Sequence, residues 1–343
     1  MTDSAPARKL TVAVTGPTGD IGRSLLRALE RTTEVGQVRA MARRPFDPAA
    51  EGLSKTQYRQ GDVLDPDAVA EVVAGADVVV HLAFVIMGNA EETSSVNLRG
   101  SRNVFGAAID SGAARLVYAS SVAAYGFHAD NPKLLTEDLP ARGTRRHYYS
   151  AQKAELEEAL QELLAGADTD AYVFRPCIVA GPDALALVQS IPYLQISERL
   201  PSAVMRPLEL MPALKPVIPD PGVPFQLVHH DDVASALRAA VLGEGEPGIY
   251  NLAAKGTLTM ADLARALDWY SIPVPDLALG AAAELVARLS FVPAEAQWIE
   301  SVRRPVLMDT AKARRVLRWR PRYDAAETLR GMVDAARSER LIR

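Results

Sequence analysis

"KLTVAVTGPTGDIG", residues 9–22, is the stretch that decides the fold. Its first half is a short β-branched apolar run. Its second half carries Gly16, Gly19 and Gly22 and passes directly into Ile21, Leu25, Leu26 and Leu29 at helical spacing. A strand that turns through glycines into a helix leaves free N–H groups and the positive end of the helix dipole at the turn. The glycines allow positive φ and close approach of a pyrophosphate. A plain strand-to-helix turn with packing glycines has the same pattern, so both readings stay open here. Asp20 is out of character beside a pyrophosphate unless it points outward.

Outward from this turn the pattern repeats. "VRAMA" (38–42), "TQYRQGD" (56–62), "ADVVVHLAF" (76–84), "ARLVYASS" (114–121) and "AYVFRP" (171–176) are apolar or β-rich, and amphipathic stretches separate them. Apolar strands buried on both faces and alternating with helices belong to a parallel sheet. The expected fold is α/β, a Rossmann-type doubly wound parallel sheet with a smaller mixed α/β C-terminal substrate lobe. The expected division is a dinucleotide-binding domain over 1–180, with 225–245 returning to it, and a substrate lobe from 181–224 and 246–343.

The lobe is announced by a change of texture. Residues 182–224 hold nine of the chain's 23 prolines, among large apolar side chains from Leu187 to Met211. Proline blocks ladder and helix hydrogen bonds, so short helices and a lid-like loop are expected there. "PFQLVHHDDVASALRAAV" (224–241) predicts a strand running into a helix capped by Asp231 or Asp232, and Thr259 is the expected cap of the next helix.

Composition sets the broad class. With 343 residues, 48% hydrophobic and 23% charged, the chain can bury a sizeable core in one or two domains. A net charge of −4 with mixed signs gives no pull toward nucleic acid or a membrane surface, and the basic run over 312–322 reads as a solvated helix end. The single cysteine, Cys177, excludes an internal disulfide. The five histidines lack ligand-like spacing, and His229 and His230 on one strand would point to opposite faces, so no metal is expected. The N-terminus lacks the apolar core of a signal peptide and no window suits a membrane span, so a cytoplasmic protein is expected.

About 20 residues beyond the glycine turn an acidic residue would bind the adenosine ribose and repel a 2′-phosphate. This chain has Arg43 and Arg44 there, which favours NADP over NAD. Further on, "HYYSAQK" (147–153) sets Tyr149 four residues before Lys153, one turn away on a helix. A nearby ammonium stabilises phenolate and lowers a tyrosine pKa toward the working range of a general acid/base. Tyr148 pairs instead with Gln152 and is expected to be packing or pocket rim. "VYASSVAAYG" (117–126) brings two serines to the end of a strand, where a doubly wound sheet binds ligands.

These motifs together resemble the extended short-chain dehydrogenase/reductase superfamily, which holds nucleotide-sugar epimerases and dehydratases, plant-type ketone reductases and hydroxysteroid dehydrogenases. The resemblance covers most of the chain: TGPTGDIG, "GDVLD" (61–65), "HLA" (81–83), "VNLRGSRNV" (96–104), "ASSVAAYG", "YSAQK", "RPCIVAGP" (175–182), "VHHDDVA" (228–234) and "MDTAKARRVLRWRP" (308–321). It implies a catalytic set of Ser121, Tyr149 and Lys153, supported by Asn97. It implies cofactor contacts from Gly16, Thr18, Gly19, Asp20, Ile21, Gly22, Arg43, Arg44, Asp62, Val63, Leu82, Ala83, Tyr149, Lys153, Pro176 and Ile178. Substrate contacts are implied for Ser120, Ser121, Tyr149 and Phe84, and Cys177 becomes a packing residue. A homodimer through the helices near 92–111 and 145–165 is the family expectation.

Two departures narrow the activity. Dehydratases of the superfamily carry an Asp-Glu pair where this chain has Val122 and Ala123, so water elimination is not expected. Many sugar-nucleotide enzymes carry a diphosphate-gripping arginine at the position of Phe225. Its loss, with the apolar 187–224 segment, points to a less charged substrate. The expected activity is NAD(P)-dependent interconversion of a secondary alcohol and a carbonyl. A nucleotide-sugar epimerase with tightly bound NAD, and a non-catalytic dinucleotide sensor, are the alternatives.

Overall fold

A computed structural model describes residues 8–86, 93–145, 147–185, 188, 215–274 and 305–342. The apolar 9–22 stretch becomes strand β1 (Leu10–Thr15) and helix α1 (Asp20–Glu30), whose Leu25, Leu26 and Leu29 are buried. β2 (Val35–Ala42), β3 (Thr56–Gln60), β4 (Val78–His81), β5 (Arg115–Ala119) and β6 (Asp170–Pro176) follow the predicted runs. Between them lie α2 (Pro66–Val73), α3 (Gly100–Asp110) and α4 (Tyr148–Leu164). Asp65 caps α2 by accepting from the Asp67 and Ala68 N–H groups, with Pro66 in the first turn, where its missing N–H costs nothing.

Seven parallel strands form the main sheet in the order β10-β6-β5-β4-β1-β2-β3, where β10 is Gly248–Leu252. β1 pairs with β2 on one side and β4 on the other, so the connections leave it in opposite directions and a crevice opens at the carboxyl ends. One core layer packs α1 and α5 (His230–Val241) against the sheet, through Leu25, Leu29, Val233 and Leu237. The other gathers Val69, Val72, Val104, Phe105, Leu156 and Leu160 from α2, α3 and α4. The doubly wound architecture expected from the alternating pattern is therefore present.

One strand of the C-terminal half returns to the main sheet. β10 pairs with β6 along its whole length, so residues 248–252 belong to the main sheet and not to the substrate lobe. The apolar edge of β6 requires a covering strand, and the chain returns to provide it. Trp319 is buried with its indole N–H donating to the Asp232 carbonyl oxygen at 2.9 Å, tying the end of α7 (Ala311–Val316) to α5.

A third core cluster builds the smaller lobe from Leu185, Leu227, Leu258, Leu263, Leu267, Leu329, Met332 and Val333. It joins α6 (Met260–Leu267) and α8 (Ala325–Ser338) to two parallel pairs, β7 (Ile178–Ala180) with β9 (Leu227–His229), and β8 (Val217–Asp220) with β11 (Tyr270–Pro273). Thr259 caps α6 in a reciprocal box with Asp262, as expected. The apolar run Leu187–Met211 lies outside the described residues. Among the described residues no helix is long and apolar enough to cross a membrane.

Candidate active site

The three glycines of the first turn have different reasons to be glycine. Gly16 adopts φ +78°, and a Cβ there would lie 2.6 Å from the Ala83 nitrogen. A Cβ on Gly22 would lie 2.3 Å from the Gly16 oxygen. Both are dictated by the packing of the protein itself. Gly19 is not: its φ of −82° and ψ of 169° suit any residue, and a Cβ would meet nothing nearer than the Gly16 oxygen at 3.7 Å. It stands exposed at the N-cap of α1, which has no side-chain cap. The uncapped N–H groups at this exposed turn are free to meet an anion, so the turn fits a pyrophosphate. Thr18, Asp20 and Ile21 frame it, and Asp20 is exposed.

The end of β2 fits as well. The Arg43 carbonyl accepts from Gln60 Nε2 at 2.8 Å, and Tyr58 donates to the carbonyls of Ala42 and Arg44. Their backbone is thus braced, while both guanidinium groups stay exposed and neither joins a salt bridge among the described residues. Asp62 Oδ1 accepts from the Leu64 N–H at 3.0 Å, which shapes the turn after β3. Val63 is buried against Gly100, where a Cβ would come within 2.5 Å of its Cγ2. Leu82 and Ala83 lie half-buried in the chain after β4; Pro176 is the buried last residue of β6, and Ile178 is the exposed first residue of β7.

At the ends of β4 and β5 the predicted chemical groups meet. Ser121, buried and extended, faces the Tyr149 hydroxyl, whose proton affinity it lowers, and accepts from the Ala123 N–H at 3.1 Å. Lys153 is buried on α4 with its ammonium 3.8 Å from the centroid of the Phe84 ring and 5.9 Å from that of Tyr149. It donates to the Ala119 carbonyl at 2.8 Å and to the Tyr118 hydroxyl at 3.2 Å. Phe84 stands edge-on to Tyr149, with ring centroids 5.4 Å apart, and therefore touches both members of the pair.

The electrostatics differ from the expectation at one point. Tyr149 is raised by burial, with Ser121 pulling the other way, so the Lys153 ammonium does not lower it in this arrangement. Lys153 itself is lowered to about 7 because its charge is buried, an effect that the Glu157 carboxylate opposes. The lysine's hydrogen bonds are directed to the end of β5 and not to the phenol.

Asn97 and Ser120 occupy roles other than direct contact. Asn97 is fully buried; its amide accepts from the Val85 N–H at 2.8 Å and donates to the Val85 carbonyl at 2.9 Å and to Gln152 Oε1 at 2.8 Å. It fixes the chain carrying Phe84 to α4. Ser120, expected to face substrate, turns inward instead and donates to Glu157 Oε1 at 2.5 Å. Consecutive residues of an extended chain point to opposite sides, so only one of the two serines can face the crevice.

Residues 12–253 match the NAD dependent epimerase/dehydratase family. The chain belongs to this family. Human 3 beta-hydroxysteroid dehydrogenase type 7 is 36% identical over 165 residues, which is 45% of this chain and 44% of that protein. The chain thus spans less than half of that relative. An uncharacterized protein, y4nG of Sinorhizobium fredii, is 28% identical over 332 residues, covering 93% of this chain and 76% of its own. The crystal structure of gox2253 superposes with a TM-score of 0.75 at 22% identity, over 97% of this chain and 99% of that one.

Several groups of this epimerase/dehydratase-family site escaped the sequence reading. Tyr118 receives the lysine, and His81 beneath it bridges Thr15 Oγ1 at 2.7 Å and Ser101 Oγ at 2.8 Å. Burial lowers His81 to about 3, so it is neutral throughout the working range. Glu157 and Arg175 form a buried ion pair behind the serines. The spacing Tyr149, Lys153, Glu157, each four apart, was the available signal for Glu157. Arg175 gave none, since its partner is 18 residues away.

The His229–His230 pair departs from expectation. β9 ends at His229 and α5 begins at His230, so the rings do not alternate across a strand but lie with centroids 4.2 Å apart. With Asp231 they present ligand-type atoms within 4.8 Å of one another. These atoms already have protein partners: His229 Nδ1 accepts from the Asp231 N–H, and the two ring nitrogens of His230 meet Ser24 Oγ and the Asp183 N–H. His229 is also the N-cap of α5, in place of the expected aspartates. Asp232 instead accepts from the Arg322 and Tyr323 N–H groups.

Proposed function

We propose that the protein is an NADP(H)-dependent oxidoreductase that interconverts a secondary alcohol and a carbonyl on a moderately hydrophobic small molecule. The observation that carries this reading is the meeting of Ser121 and Tyr149 at the carboxyl edge of the sheet, with Lys153 one turn along the same helix. When bound, the nicotinamide gives or takes the hydride. Tyr149 gives the proton to the substrate oxygen or removes it, and Ser121 hydrogen-bonds that oxygen and holds it against the phenol. Lys153 anchors the end of β5 that carries Ser121, with its own proton affinity lowered by burial to about 7.

Gly16, Gly19 and Gly22 hold the pyrophosphate in this reading, while Asp62 and Val63 border the adenine. The exposed Arg43 and Arg44, in no salt bridge among the described residues, support the choice of NADP. The name of the human relative, a hydroxysteroid dehydrogenase, supports a hydrophobic secondary alcohol as the substrate class, as does Phe225 at the position where an arginine would hold a diphosphate.

The test is a paired titration and turnover assay. The expected result is tighter binding of NADPH than NADH, and NADPH oxidation by a hydrophobic ketone that is lost in Tyr149→Phe. Stoichiometric NAD retained through dialysis, without net redox, would turn the reading to an epimerase.

A further inference from the structure

Behind the two serines lies a buried acid with three demands on it. Glu157 is 3% exposed and Arg175 1%. Arg175 Nε donates to both carboxylate oxygens, at 3.0 and 3.2 Å, and its Nη2 donates to Oε2 as well. Ser120 donates to Oε1 at 2.5 Å. The guanidinium is fixed in turn by the Leu139 carbonyl at 3.2 Å and by the Tyr125 ring, 4.3 Å from its carbon. A buried carboxylate held by a guanidinium fork and a serine hydroxyl is fixed in place.

We propose that Glu157 is a positioning residue for this site: by holding Ser120 from behind it turns Ser121 toward Tyr149, and it sets a buried negative charge one helical turn from Lys153. The proposal rests on the oxidoreductase reading above, because it assigns Ser121, Tyr149 and Lys153 their roles. The geometry is a two-point brace at the end of β5. Lys153 binds the Ala119 carbonyl and Glu157 the Ser120 hydroxyl, which leaves Ser121 beside Tyr149. Two successive residues of one strand end are gripped by two residues of one helix, four apart along it, so the two elements cannot slide without breaking both contacts.

The titratable groups around Lys153 are His81 on β4, Tyr118 on β5, and Tyr149 and Glu157 on α4, with Arg175 on β6 behind the carboxylate. His81 is neutral above about 3, and burial raises both tyrosines. Glu157 is therefore the group whose charge opposes the loss of the lysine's proton, and burial alone would carry Lys153 below its value of about 7.

The first arm of the test needs no substrate. In full-length protein with carbon-13 at lysine Cε, the Lys153 resonance, assigned by Lys153→Arg, is followed with pH. Glu157→Gln is expected to reduce its proton affinity about tenfold or more, and Glu157→Asp to restore part of the loss. An unmoved midpoint in a folded Glu157→Gln overturns the proposal. Ser120→Ala keeps the ion pair and so reads the positioning half should Glu157→Gln not fold. With NADPH and a 3-ketosteroid probe, it is expected to lower kcat about tenfold or more at unchanged NADPH affinity, and Ser120→Thr to recover most of it. Wild-type kcat in Ser120→Ala, with Tyr149→Phe inactive, overturns the proposal alone. An active Tyr149→Phe overturns the functional reading and the proposal with it.

Discussion

The Lys153 ammonium donates to the Ala119 carbonyl oxygen at 2.8 Å, so a buried charge is anchored to the end of β5. Its proton affinity is depressed from the ordinary lysine value of 10.5 to about 7. The folded state therefore disfavours the charged form relative to the unfolded chain. Below pH 7 the whole cost of burying the ammonium is borne by the folded state; as pH rises from 7 toward 10.5 the cost fades, because the folded state has released the proton that the unfolded chain still holds, and it is gone once both are neutral. Lys153→Met is expected to stabilise the protein more at pH 6 than at pH 9, by a difference of about 3 kcal/mol, while abolishing turnover. Urea unfolding at the two pH values checks the sign.

Tyr148 and Tyr149 are neighbours with unequal tasks. Tyr148 donates to the Ile86 carbonyl at the rim, whereas Tyr149 meets Ser121 inside. Tyr149→Phe is expected to lower kcat by about a thousandfold or more and to leave the NADPH dissociation constant within about twofold. Tyr148→Phe is expected to cost about threefold in kcat or less. Stopped-flow hydride transfer separates the two.

The glycine turn offers a division between stability and binding. Gly22→Ala forces a Cβ to within 2.3 Å of the Gly16 oxygen and is expected to destabilise the fold by about 3 kcal/mol. Gly19→Ala meets no such obstacle. It should unfold like the wild type yet bind NADPH about tenfold more weakly, because the new methyl occupies the space before the α1 N–H groups. Chemical denaturation paired with a fluorescence titration of NADPH reads both effects.

Arg43 and Arg44 are expected to act on one phosphate only. Replacing both with alanine should weaken NADPH by about tenfold or more and leave NADH within about twofold, with no change in thermal stability, since both side chains are exposed and neither joins a salt bridge among the described residues. A parallel loss of both cofactors would end the assignment of NADP.

Much of this protein was determined by its sequence alone. The alternation of apolar runs and amphipathic stretches is a local property, set by burial of both faces of each strand, and it led to the main sheet from β1 to β6. The helical spacing of Tyr149 and Lys153 is equally local, and α4 places them one turn apart as expected. The seventh strand, β10, was not legible, because pairing with β6 depends on an edge created by residues more than seventy positions earlier. The direction of each serine depends on the pleat at the end of β5 and on the Glu157–Arg175 pair. The target of the Lys153 ammonium depends on how closely α4 lies against that strand. Only tertiary structure decides such matters, since a side chain's partner and its proton affinity follow from what is packed around it and from how much water that packing excludes.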